Sequence, residues 1–134
     1  MNAFSLKIVT PDGLEFDGQA EELIVRSTTG DIGILAGHVN CVAPLGMGRA
    51  TIITDGVKRY AACIGGMLSV QNGEVSLVPT TFEWAESIDA ARAQLSQERA
   101  EKVLGDKEAS ANDLRLAEAR LHRALVRKSV ASHK

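Results

Sequence analysis

The stretch Pro79-Thr80-Thr81-Phe82-Glu83-Trp84-Ala85-Glu86-Ser87-Ile88-Asp89-Ala90-Ala91-Arg92-Ala93 divides the chain into two chemistries. Every glycine except Gly105, and all three prolines (Pro11, Pro44 and Pro79), lie before Phe82. After it the chain is dominated by alanine, arginine, glutamate and leucine, the strongest helix formers. The front reads as strands and turns, the back as helices, with domains expected at 1–84 and 85–134. The fold class is therefore α+β: an N-terminal antiparallel β-sandwich or flattened barrel, followed by a C-terminal antiparallel two-helix hairpin.

Turn chemistry supports the front half. Phe4, Leu6 and Ile8 alternate with polar positions, as in a half-buried strand. Pro11-Asp12-Gly13 is a turn, after which Leu14 and Phe16 begin a return strand. Asp55-Gly56 separates Ala50–Thr54 from Val57–Cys63, and Asn72-Gly73 separates Met67–Gln71 from Glu74–Val78. Asp-Gly and Asn-Gly suit type I′ hairpin turns because both central residues need φ > 0. Short strands at this spacing imply a sandwich or barrel.

In the back half, the first helix is expected from about Ser87 to Leu104. Glu83, Glu86 and Asp89 crowd its start, where the helix dipole favours negative charge. Gly105 reads as the residue that ends it. Ser110-Ala111-Asn112-Asp113 has the form of a capping box with Asp in place of Glu. A second helix follows to about Ser129, with Arg123, Arg127 and Lys128 at its C-terminal end. So short a connection makes the helices antiparallel neighbours. The expected seam is Ile88, Ala91 and Leu95, then Ala100, Val103 and Leu104, against Leu114, Ala117, Leu121 and Ala124. A buried methylene stabilises by about 0.8 kcal/mol, so an alanine seam holds weakly. This predicts a conditionally docked hairpin.

Composition narrows the function. The 134 residues are 45% hydrophobic but only 4% aromatic, so the core is aliphatic, and the formal net charge is −2. From residue 85 onward, ten Lys/Arg against eight Asp/Glu leave only +2, so nucleic acid is not an expected partner. Cys41 and Cys63 sit in apolar strand-like stretches and read as reduced core residues. No segment has the ~18 apolar residues of a membrane span. Met1 to Val9 alternates in polarity and contains Lys7, unlike a signal peptide, so a soluble, cytosolically made chain is expected.

Catalytic patterns are missing. No phosphate-binding Gly-x-x-x-x-Gly-Lys-Ser/Thr loop occurs, and Gly46-Met47-Gly48 lacks the third glycine of a dinucleotide loop. His38, His122 and His133 have no metal-ligand spacing. No catalytic site, no metal site and no enzyme activity of its own are expected. Two features remain. Gly30-Asp31-Ile32-Gly33-Ile34-Leu35-Ala36-Gly37-His38 reads as a glycine-rich loop anchored by Ile32, Ile34 and Leu35. Arg92 and Arg99 share one helix face, and Arg123 and Arg127 another. In an antiparallel hairpin the second pair approaches Arg92, Asp89 and Glu83. Guanidinium groups bind phosphate oxygens bidentately, and a carboxylate accepts from an adenine amino group. Ordinary surface ion pairs are the alternative.

Taken together, these segments resemble the epsilon subunit of bacterial F-type ATP synthase over essentially the whole chain. The resemblance runs through Thr10-Pro11-Asp12-Gly13, the Gly30–His38 signature, Gly65-Gly66-Met67-Leu68-Ser69-Val70 with Asn72-Gly73, and the two-helix tail. It implies a non-catalytic central-stalk rotor subunit. Its β domain contacts the gamma subunit and the c-ring, coupling proton-driven rotation to ATP synthesis. Its tail extends toward the catalytic alpha and beta subunits and inhibits ATP hydrolysis. The expected location is peripheral, on the cytoplasmic side of the bacterial plasma membrane, without membrane insertion. Ile88-Asp89-Ala90-Ala91-Arg92-Ala93 resembles the family's Ile/Leu-Asp-x-x-Arg-Ala motif, which in some members binds ATP and holds the hairpin folded. Carried over by position, ATP as a regulatory ligand contacts Ile88, Asp89, Arg92 and Ala93, with Glu83 as acidic helper. Arg123-Ala124-Leu125-Val126-Arg127 resembles the second-helix segment whose arginines face the phosphates, and Arg99 joins them. A free-standing ATP-sensing module with an unrelated partner is the competing reading.

Overall fold

A computed structural model describes residues 2–133; Met1 and Lys134, at the outer ends of the two expected domains, lie outside the described residues. Among the described residues, ten strands come first: β1 (Phe4–Thr10), β2 (Gly13–Ala20), β3 (Glu22–Ser27), β4 (Gly30–Leu35), β5 (Cys41–Pro44), β6 (Met47–Thr54), β7 (Val57–Ile64), β8 (Met67–Gln71), β9 (Glu74–Val78) and β10 (Thr81–Trp84). A 3₁₀ turn, Ala85–Ser87, precedes helices α1 (Ala90–Leu104) and α2 (Ala111–Ala131). The chain divides into two compact units, Met1–Trp84 and Ala85–Lys134.

The first unit is a sandwich of two five-stranded sheets, ordered β2-β1-β9-β8-β5 and β10-β7-β6-β3-β4. Phe4, Leu6, Ile8, Leu68, Val70, Val75 and Leu77 from one sheet meet Leu23, Val25, Ile34, Ala50, Ile52, Ala61, Cys63 and Phe82 from the other. This is the aliphatic core that the composition demands. The expected antiparallel sandwich forms with one exception, since β1 and β9 pair in parallel, Leu6 opposite Val75 and Ile8 opposite Leu77. That pairing joins strands distant in sequence, so no turn dipeptide announces it.

Both expected type I′ turns form. Asp55 and Gly56 have φ of 51° and 76°, and Asn72 and Gly73 have 52° and 80°. Each is tied down from a distance. The Gly56 N–H donates to Glu21 Oε1 at 2.7 Å, and the Asn72 N–H donates to Asn40 Oδ1 at 2.9 Å. At Gly66, φ is 95° and a Cβ would run into the Val78 carbonyl oxygen, so only glycine fits there. The Gly30–His38 segment is not the loop expected from its glycines. Gly30–Leu35 is edge strand β4, paired with β3 from Glu22–Leu35 to Ser27–Gly30. Alternation buries Ile34 completely but leaves Leu35 57% exposed, so Leu35 is no anchor.

In the second unit, the capping box at α2 is present: the Asp113 N–H donates to Ser110 Oγ at 3.0 Å, and the Ser110 N–H donates to Asp113 Oδ2. At α1, Asp89 is the N-cap, its Oδ1 accepting from the Arg92 N–H at 3.0 Å. The helix therefore starts at Ala90 rather than Ser87. Ile88 precedes the cap, and Ile88 and Ala93, both buried, occupy the two positions of a hydrophobic staple. Gly105 ends α1 with φ of −86°, a right-handed conformation that does not require glycine.

The later start corrects the α1 seam. Ala91 is exposed and Leu95 is 51% exposed, while Ala93 and Ala100 are buried. A stripe phased from Ile88 is misplaced because Ile88 lies outside the helix. On α2 the expected Leu114, Ala117, Leu121 and Ala124 do form the inward stripe, with both alanines buried. The stripe continues to Ala131, also buried.

Candidate functional site

Five buried alanines, Ala93, Ala100, Ala117, Ala124 and Ala131, mark where α1 and α2 meet. A polar contact crosses with them: Lys128 Nζ donates to Gln97 Oε1 at 2.7 Å. The seam thus runs Ala93, Gln97, Ala100, Leu104 on α1 and Leu114, Ala117, Leu121, Ala124, Lys128, Ala131 on α2. Its 4-3 spacing is that of two closely packed antiparallel helices.

This seam assigns the arginines to sides. A two-fold axis normal to the plane of an antiparallel pair exchanges the helices without exchanging sides. Residues one position before a seam residue therefore lie on the same side of both helices. Arg92 precedes Ala93 and Arg99 precedes Ala100, while Arg123 precedes Ala124 and Arg127 precedes Lys128. All four expected arginines share one side of the hairpin. Glu98, Glu101, Glu118 and His122 each follow a seam residue and take the other side. The segregation is incomplete, since Arg115 follows Leu114 onto the glutamate side and Asp113 precedes it on the arginine side.

At a rise of about 1.5 Å per residue, Arg92 and Arg99 lie about 10 Å apart along α1, and Arg123 and Arg127 about 6 Å apart along α2. Asp89 stands at the capped start of α1, exposed, its carboxylate engaged by the Arg92 amide. Ile88 is 1% exposed and Ala93 fully buried, so neither presents its side chain to solvent. Glu83 belongs to the first unit, half-buried on β10 opposite Ala62.

The sequence reading missed two features. One is the Gln97–Lys128 pair, whose signal was the 4-3 spacing on α2 continued past Ala124. The other is an apolar row across the outer face of the first sheet. Pro44 pairs with Met67 and Met67 with Val78. Val9 follows Ile8, the partner of Leu77, and pairs with Leu14. Met67, Val78 and Leu14 are 42%, 48% and 58% exposed, and Val42 beside them is 68% exposed. These apolar side chains stand side by side on paired strands rather than singly scattered.

Elsewhere, burial pushes the Cys63 thiol up to about 12, and Cys41 is half-buried; both cysteines are free, as expected. Arg59 stacks 3.6 Å over the Trp84 ring, which meets Phe82 edge-on at 4.9 Å, fixing the last strand. No described helix is long and apolar enough to cross a membrane.

Comparison with known proteins agrees with this architecture. Residues 3–85 match the family model of the ATP synthase delta/epsilon chain β-sandwich domain, and residues 86–132 match its long α-helix domain. The chain belongs to the ATP synthase delta/epsilon family. It is 41% identical to the ATP synthase epsilon chain of Bacillus velezensis over 99% of its own length and 100% of that relative. It is also 41% identical to the epsilon chain of Ruminococcus albus, over the full length of both. Family membership makes it an epsilon-type chain, a non-catalytic accessory subunit. Its fold is also that of a chain in the OSCP/F1/c-ring assembly of Euglena gracilis mitochondrial ATP synthase. That likeness has a TM-score of 0.82 at 20% identity and covers 96% of this chain and 80% of the other. A chain of the Tetrahymena thermophila mitochondrial ATP synthase central stalk and c-ring structure aligns with a TM-score of 0.62 at 13% identity, over 95% of each.

Proposed function

We propose that this epsilon-family chain is a rotor subunit of an F-type ATP synthase whose C-terminal hairpin is an ATP-gated inhibitor of ATP hydrolysis. The β unit docks on the gamma subunit and the c-ring and couples proton-driven rotation to ATP synthesis. The apolar row Pro44, Met67, Val78, Val9 and Leu14 supplies a docking surface suited to gamma. The hairpin, when it undocks, extends toward the catalytic alpha and beta subunits. The site of action is the cytoplasmic face of the bacterial plasma membrane, with the chain attached peripherally. Full-length relatives in bacteria and the central-stalk structures support the rotor assignment.

The observation that carries the gating is the arginine side of the hairpin: Arg92, Arg99, Arg123 and Arg127 together, with the Asp89 carboxylate at the capped end. Guanidinium groups from both helices bridged by one triphosphate would hold an alanine seam shut. Ligand at 100 times its Kd stabilises the state it binds by about 2.7 kcal/mol, enough to govern a weakly docked pair. Falling ATP then releases the tail.

Calorimetric titration of ATP into the chain, with Arg92→Ala alongside, tests the site. Saturable binding that weakens in Arg92→Ala is expected; equal affinity in the variant would overturn it. Co-purification with gamma separates this reading from a free-standing ATP-sensing module, which would leave gamma behind.

A further inference from the structure

Both type I′ turns of the β unit place a short carbonyl-bearing side chain directly before glycine, as Asp55-Gly56 and Asn72-Gly73, and all of these residues are exposed. In such a pair the glycine main-chain nitrogen can attack Cγ of the residue before it and close a succinimide ring, with no glycine side chain to hinder the approach. The two turns differ as electrophiles. A carboxylate carries charge that resists a nucleophile, whereas the side-chain amide of asparagine is neutral and can release ammonia. They also differ in how they are tied down. The Gly56 N–H, on the atom that would attack Asp55, donates to Glu21 Oε1 at 2.7 Å. At the other turn the bond falls one residue earlier: the Asn72 N–H donates to Asn40 Oδ1 at 2.9 Å, while the nucleophile would be the nitrogen of Gly73. Of the four asparagines, Asn72 alone precedes glycine; Asn2, Asn40 and Asn112 precede Ala3, Cys41 and Asp113.

We infer that Asn72 is a site of spontaneous covalent modification, deamidation to aspartate and isoaspartate, and that Asn40 is the residue restraining it. The Gly73 nitrogen attacks Asn72 Cγ, its proton passes through solvent to the departing nitrogen, the Cγ–Nδ2 bond breaks and ammonia leaves. Water, the co-reactant, then opens the succinimide. Opening at Cγ restores the ordinary main chain with an aspartate; opening at the main-chain carbonyl gives isoaspartate. The type I′ turn holds the Asn72–Gly73 peptide in a fixed geometry, with φ of 52° and 80°, so the peptide must rotate before the ring closes. The Asn40 bond opposes that rotation by anchoring the turn at the Asn72 N–H. The two products treat the sheet differently. Aspartate accepts positive φ, as Asp55 does at 51°, so the turn survives with one added negative charge. Isoaspartate routes the main chain through Cβ and Cγ. A two-residue turn lengthened in this way no longer closes Gln71 opposite Glu74 in register with the core pair Val70 and Val75.

The experiment incubates the full chain in mildly alkaline buffer, folded and in urea, and follows each asparagine by peptide mapping. The readouts are the amide-to-acid mass shift and labelling by an isoaspartyl methyltransferase. Asn40→Ala, Asn40→Asp and Glu21→Ala are carried alongside, with circular dichroism confirming that each stays folded. Asn72 is expected to convert ahead of Asn2, Asn40 and Asn112, and more slowly in the folded chain than in urea. In Asn40→Ala its conversion is expected to quicken by about 2- to 10-fold, the factor that one net hydrogen bond represents. Asn40→Asp keeps an acceptor oxygen and is expected to stay within about twofold of the unaltered chain. Glu21→Ala, which frees the other turn, is expected to leave the Asn72 rate unchanged. Another asparagine converting first, or no conversion of Asn72 in the folded chain while the chain in urea converts, overturns the site. An unaltered rate in Asn40→Ala overturns the restraint, as does an equal acceleration by Glu21→Ala, which would trace it to general loosening of the sandwich.

Discussion

Lys128 reaches across the hairpin and donates to Gln97 Oε1 at 2.7 Å, between the buried Ala124 and Ala131 of its own stripe. Alanines alone specify register poorly, because their short side chains interlock little. A single polar pair in an apolar seam fixes which residues face each other. Here it ties α1 to α2 across the seam.

Lys128→Met keeps the length of the side chain and removes the donor. A net hydrogen bond contributes about 0.5–1.5 kcal/mol. Amide exchange in α1 and α2 is therefore expected to quicken by about 2- to 10-fold, with the β strands unchanged. Unchanged protection in both helices would deny Lys128 this role.

Asp89 carries two separable functions. Its Oδ1 caps α1 through the Arg92 N–H, and asparagine caps about as well as aspartate, whereas alanine costs about 1 kcal/mol. Asp89→Ala is expected to lower thermal stability of the helices, and Asp89→Asn to preserve it. Both should weaken ATP binding, since asparagine replaces the second carboxylate oxygen with a donor. Wild-type ATP affinity in Asp89→Asn would remove the carboxylate from the nucleotide site.

Cys63 gives the β unit an alkaline limit. Burial raises the thiol from 9.0 to about 12, so the folded state holds its proton more tightly than the unfolded state. Its contribution is complete below about pH 9 and is lost as pH rises toward about 12. Cys63→Ala or Cys63→Val should flatten the decline in denaturation midpoint over that window. In the native protein at neutral pH, a thiol reagent is expected to label the half-buried Cys41 and spare Cys63. Equal labelling of both would contradict the burial.

Much of this was legible because it is local chemistry. Asp55-Gly56 and Asn72-Gly73 demand positive φ wherever they occur, and Ser110 to Asp113 closes its capping box within one helical turn. The loss of glycine and proline after Phe82 separates sheet from helix by backbone entropy and propensity alone. The stripe Leu114, Ala117, Leu121, Ala124 shows its phase because α2 runs uninterrupted from its cap.

The tertiary structure decided what depends on partners distant in sequence. Ile88 looks like the first residue of a helical stripe until Asp89 is seen accepting from the Arg92 amide, which puts Ile88 outside the helix and rotates the seam to Ala93. Gly30–Leu35 reads as a loop from its glycines, yet β3 supplies hydrogen-bonding partners along its length and makes it a strand. The parallel pairing of β1 with β9 and the outer row from Pro44 to Leu14 exist only once five strands are side by side. The candidate site has the same dependence. The sequence determined which arginines share a face of each helix. Only the antiparallel packing of α1 on α2 through the buried alanines decided that both faces lie on one side.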